Sequence, residues 1–109
     1  AVVGVFEELQ RAPGQVIPIA AVEEVDRGEV SIEGTVTKLW EPSHRSIAQV
    51  GLLEDKSARI RFTVWEKSDQ PIVREGETVT FRGVAKSWYE GRCSVALTGW
   101  SRVGFPDRR

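Results

Sequence analysis

The chain has 109 residues, 40% of them hydrophobic and 28% charged with a net charge of −1, which suits one small globular domain and excludes a disordered or fibrous chain. A single cysteine, Cys93, and a single histidine, His44, exclude an internal disulfide framework and a zinc site built on several thiolates, so no metal or cofactor is expected and a reducing, cytoplasmic setting is the default. No apolar run approaches the roughly 20 residues that cross a bilayer, and no basic-then-apolar leader opens the chain, so no membrane association is expected.

In chain order, residues 1–15 combine a short helical pattern, Val5 to Arg11, with the breaker Pro13-Gly14, and are expected to form an appendage. Val16-Ile17-Pro18-Ile19 is apolar but carries a proline, which limits it to an edge segment. Strands then take over. Val30, Ile32, Gly34 and Val36 alternate with Ser31, Glu33, Thr35 and Thr37, and Gly34 in the middle suits a sharp bend where one strand serves two neighbours. This first strand ends at Leu39-Trp40 and the loop Glu41 to Ser46 follows. Ile47 to Glu54, the turn Asp55-Lys56-Ser57-Ala58, and Arg59 to Trp65 read as a hairpin. Residues 66–76 are polar and contain Pro71, the mark of a short helix or irregular connection. A fourth strand is expected from about Glu77 to Ser87, with Val79, Phe81, Gly83 and Ala85 on one side. After a tip at Trp88-Tyr89-Glu90-Gly91, a fifth runs from Arg92 to about Val103 with Cys93, Val95 and Leu97 facing inward. The expectation is an all-β fold, a five-stranded Greek-key barrel of the OB type over residues 16–103 with a tail at 104–109; an SH3-like barrel, with shorter strands, is the alternative.

Enzyme motifs are absent: there is no glycine-rich phosphate loop, no HExxH and no nucleophile elbow, so no catalysis is expected. The charge is unevenly spread. Residues 1–37 hold seven acids against two arginines, whereas residues 80–102 hold four bases against one acid. Strand three sets Arg59, Arg61, Thr63 and Trp65 on the side opposite Ile60, Phe62 and Val64. Thr80, Arg82, Lys86 and Trp88 form a similar row on strand four, and Arg92, Thr98, Trp100 and Arg102 on strand five. Rings interleaved with cations suit single-stranded nucleic acid, whose unpaired bases stack on aromatic faces while the cations follow the phosphates. The plain alternative is that these arginines are the solvated side of half-buried strands. Trp65 and Trp100, each expected at a strand end, are open to the reading that they cap the barrel. Trp40 and the pair Trp88-Tyr89 are expected to be exposed, and Cys93 to be packing.

The run Ile47 to Trp65, with its Gly51-Leu52-Leu53 and Ile60-Arg61-Phe62-Thr63-Val64-Trp65, resembles the second and third strands of an OB domain of archaeal replication protein A. Gly34 to Trp40, Gly76-Glu77-Thr78-Val79 and Trp88 to Arg92 fall where that family places its first strand, its fourth strand and its last tip. The resemblance implies largely sequence-independent binding of single-stranded DNA in replication, recombination or repair, in a nucleoid-associated setting and beside other OB-fold subunits or modules. It nominates Trp40, His44 and Arg45 from the first loop, Arg59, Arg61, Thr63 and Trp65 from strand three, and Lys86, Trp88, Tyr89 and Arg92 around the last hairpin. An OB domain that serves as a protein–protein subunit, and one that binds RNA, are the rivals.

Overall fold

The structure, a computed structural model, describes residues 15–106. The expected appendage therefore lies outside the described residues apart from Gln15, as do the last three residues of the expected tail.

Alternation carries β1 (Glu29–Trp40): Val30, Ile32, Gly34 and Val36 are buried, Glu33 and Thr37 exposed. Its 12 residues serve two neighbours. The first half, Glu29 to Thr35, pairs antiparallel with β4 (Thr78–Tyr89), and the second half, Thr35 to Trp40, with β2 (Ile47–Glu54). Thr35 belongs to both ladders, so the strand must bend beside it. Gly34 permits this, because a Cβ there would stand 2.4 Å from the carbonyl oxygen of Glu54. β2 pairs antiparallel with β3 (Arg59–Trp65), β3 parallel with β5 (Arg92–Leu97), and β5 antiparallel with β4, which closes the ring back onto β1. This is the five-stranded Greek-key barrel of the OB type that the strand plan predicts, and the two 12-residue strands set it apart from the SH3-like alternative.

The core is made of inward-facing Ile32, Val36, Leu53, Phe62, Val79, Phe81, Val95 and Leu97, with Phe62 and Phe81 in edge-to-face contact at 5.1 Å between centroids. Each end of the barrel is closed by a connection. At one end Val73 is buried, its backbone N–H and C=O both taken by the amide of Gln49. At the other, the proline-containing segment makes one bridge, Val16 to Ser31, then a 3-10 turn at Ile19–Ala21 that buries Ile19 and leads to buried Val22.

Asp55 ties that turn to the β2–β3 hairpin. Its Oδ1 accepts the backbone N–H groups of Ser57 and Ala58 and the Ser57 hydroxyl, and its Oδ2 accepts the N–H of Ile19 at 2.9 Å. Burial pushes this carboxyl up, but the hydrogen bonds from Ser57, Ile19 and Ala58 outweigh it and hold Asp55 below its ordinary 3.8. A depressed native value stabilises the fold above the ordinary carboxylate range, and that contribution is lost as pH falls through the native value. Asp55→Ala is therefore expected to lose about 1–3 kcal/mol at neutral pH. Urea titrations should show the gap to the parent closing below about pH 4.

Two sequence expectations are corrected. The inward side of β4 is not Val79, Phe81, Gly83 and Ala85: Val79 and Phe81 are buried, but the next buried residue is Val84. Between Val30↔Val84 and Ile32↔Phe81 the ladder gains a residue on β4, a bulge at Gly83 with φ +66°. Every side chain beyond it changes face. The fifth strand also stops at Leu97 rather than about Val103. Thr98 to Ser101 form a turn, with the Ser101 N–H donating to the Thr98 carbonyl and the Thr98 N–H to the Ser101 hydroxyl, and the chain re-enters as a short β6 (Arg102–Gly104) against β4.

Candidate nucleic-acid interface

The outward side chains of the barrel form two rows across the sheet. One runs Lys38, Leu52, Arg61, Ser94, Ser87; the next runs Trp40, Val50, Thr63, Ala96, Ala85. The floor over β5 and β4 is thus built from small side chains, with larger groups at its edges. At the hairpin tip the register sets Tyr89 opposite Arg92, and Glu90 and Gly91 both have positive φ, 51° and 78°. That pair of angles makes a tight two-residue hairpin turn whose twist matches the strands and holds Tyr89 over the face.

Three groups from separate elements meet there. The Arg61 guanidinium of β3 lies 3.7 Å from the ring centroid of Tyr89 on β4 and 5.9 Å from that of Trp40, the last residue of β1. Trp40 and Tyr89 remain 41% and 44% exposed, so each ring keeps area for another flat group. With Arg59 and Arg92 they line a cleft of about 880 Å³ between the sheet, the Ile19–Ala21 turn and the hairpin tip. Three arginines face two acids, Glu23 and Glu90, in that cleft, leaving it net positive in a chain of net charge −1. Cys93 also lines it. Burial pushes its thiol up, Lys86 pulls it down and Glu23 pushes it up, and the net effect is a value above the usual 9.0, that of a protonated packing residue. Among the described residues no three His, Cys, Asp or Glu side chains gather as metal ligands would, and no helix among them is long and apolar enough to cross a membrane.

Of the predicted site residues, the structure brings Trp40, Arg59, Arg61, Tyr89 and Arg92 together in the cleft and places Thr63 on the adjoining floor. Trp65 is on the same strand four residues beyond Arg61, about 13 Å along it, and half-buried. His44 and Arg45 lie on the exposed loop between β1 and β2, where His44 Nδ1 accepts the Ser46 N–H at 3.1 Å. Lys86 and Trp88 are not on this face. Past the bulge they pair with Val95 and Cys93 on the inward side of the ladder, and Lys86 Nζ donates to the carbonyls of Val25 and Glu23 at 2.7 and 3.3 Å. The expected row Thr80, Arg82, Lys86, Trp88 is thereby broken, and Tyr89 takes the place given to Trp88. The signal was present: a glycine inside a strand, Gly83, marks a bulge. Trp100 is not a barrel cap either; it stands 89% exposed on the turn after β5.

No family model matches the chain, and no curated protein matches it in sequence. Solved structures do. The OB domain of MM0293 from Methanosarcina mazei is 31% identical, with 85% of this chain and 84% of that one covered at a TM-score of 0.75. The OB domain of Ta0387 from Thermoplasma acidophilum is 19% identical over 86% of this chain and 89% of that one, at 0.72. A murine DNA-binding protein, solved bound to double-stranded DNA, is 13% identical over 88% of this chain and 49% of that one, at 0.66.

Proposed function

Since the chain belongs to the OB-domain family, we propose that it is a non-catalytic module that binds single-stranded DNA with little sequence preference, in the manner of the replication protein A domains its β2–β3 run resembles. The observation that supports this reading is the Trp40–Arg61–Tyr89 cluster, two half-open rings joined by a guanidinium over an open sheet face. Unpaired bases stack on such rings at about 1–3 kcal/mol each, and Arg59, Arg61 and Arg92 supply charge for the phosphates between them. The floor of exposed Ser87 and half-buried Ala85 and Ala96 lets a flat strand lie close to the backbone, whereas a duplex turns its base faces inward and has no use for rings.

Tryptophan fluorescence titrated with oligo-dT, oligo-U and duplex DNA tests this. Quenching by oligo-dT above the other two is the expected result. Preference for the duplex, the ligand bound by the murine neighbour, would overturn the single-strand reading, and silence toward all three would favour a protein partner. Arg61→Gln should weaken oligo-dT binding and flatten the plot of log affinity against log salt by about 0.7, the share of one phosphate on a single strand. An unchanged slope would remove Arg61 from the phosphate path.

A further inference from the structure

Trp100 is the most exposed large apolar residue of the described chain, yet its turn is firmly built. Its own N–H donates to Thr98 Oγ1, the Ser101 hydroxyl donates to the Gly83 carbonyl at 2.9 Å, and the Gln70 amide nitrogen donates to the carbonyls of both Thr98 and Ser101. With the Thr98–Ser101 bonds, this network fixes the backbone of the turn and leaves in water a ring that contributes nothing to the core. A solvated tryptophan on an ordered backbone presents its ring to something flat or apolar with no backbone left to order on binding.

Its position says what. The carbonyl of Trp100 is the nearest atom a Cβ on Gly83 would meet, so the turn rests on β4 just where the bulge hands the outward face from Arg82 to Ala85. From Tyr89 the outward residues of β4 run Ser87, Ala85, Gly83, beside Ser94 and Ala96 of β5. At about 3.3 Å per residue, this small-side-chain floor separates the Tyr89 cluster from the Trp100 turn by about 20 Å. On the far side the chain enters β6 at Arg102, an exposed cation two residues after the ring. An exposed ring followed by an exposed arginine repeats the composition of the cleft.

We propose that the Trp100 turn is a second nucleobase-stacking platform, and that one single strand runs from the cleft over β4 and β5 to reach it, its phosphates facing Arg102. This rests on the single-strand reading above and adds a length requirement to it, because a short oligonucleotide held in the cleft does not span the floor.

The test is the affinity of Trp100→Ala for dT4 and for dT15. The expected result is a loss of about 5- to 20-fold for dT15 with dT4 unchanged, and recovery of most of the dT15 affinity in Trp100→Phe. A ring so exposed should be removable without a shift in melting temperature, and Arg102→Gln, which leaves the ring in place, should flatten the salt dependence for dT15 alone. If the parent binds both lengths and Trp100→Ala matches it on both, the platform is wrong while the cleft stands. If Trp100→Ala loses affinity equally for dT4 and dT15, the proposed path is wrong. If the parent binds neither, the single-strand reading falls and the platform with it.

Discussion

Replacing Tyr89 with alanine is expected to weaken oligo-dT binding by about 10- to 100-fold, while Trp88→Ala changes it less than threefold. The two residues are adjacent on the same tip and the larger ring is the more exposed, 58% against 44%, so exposure alone would rank them the other way. Face decides. Tyr89 shares its side of the sheet with Ser87, Ala85 and Arg92, and its ring stacks on Arg61; Trp88 pairs with Cys93 on the reverse side. Losing Tyr89 removes a stacking surface and also frees the Arg61 side chain, whose ordered guanidinium then has to be immobilised anew when a phosphate arrives. Fluorescence titration of both variants measures the contrast. Equal losses would mean that the strand wraps the tip instead of lying on the sheet.

The second large effect is on the fold. Gly34→Ala is expected to cost about 1–3 kcal/mol, a drop of roughly 5–20 °C in melting temperature for a domain of this size. The added methyl would stand 2.4 Å from the Glu54 carbonyl oxygen and 3.2 Å from Leu53 Cγ, and the closest of these is backbone in the β1–β2 ladder, which cannot rotate aside. Gly28→Ala is the matched control, since a Cβ there meets nothing within 4 Å. Thermal unfolding of the pair isolates the close approach from the general entropic effect of removing a glycine. If the two melt alike, the bend in β1 does not depend on Gly34.

How much of this was legible beforehand depends on the range of the interaction involved. The alternation of Val30, Ile32 and Val36, the Arg59-Ile60-Arg61-Phe62 run and the Asp55 turn are local patterns, and each is found where it was read. Arg59 and Arg61 could be put on one face because β3 has no irregularity between them, so period two holds. Gly34 was readable as a bend because a glycine in the middle of an alternating strand pattern has few other uses. Lys86 and Trp88 were misplaced because one extra residue at Gly83 reverses the parity of all that follows; the glycine itself signals a bulge, but the extra residue is defined by pairing with β1, some fifty positions away.

Composition and period-two patterning were sufficient for an all-β barrel with cationic and aromatic strands, because burial of alternate side chains is a property each strand carries within itself. Which ring meets which cation was set by the closed ladder: the parallel β3–β5 pairing, the bulge on β4 and the tight turn at Glu90-Gly91 bring Trp40, Arg61 and Tyr89 together and leave Trp100 in water. Those contacts join residues far apart in the chain, and no local preference encodes the register that aligns them.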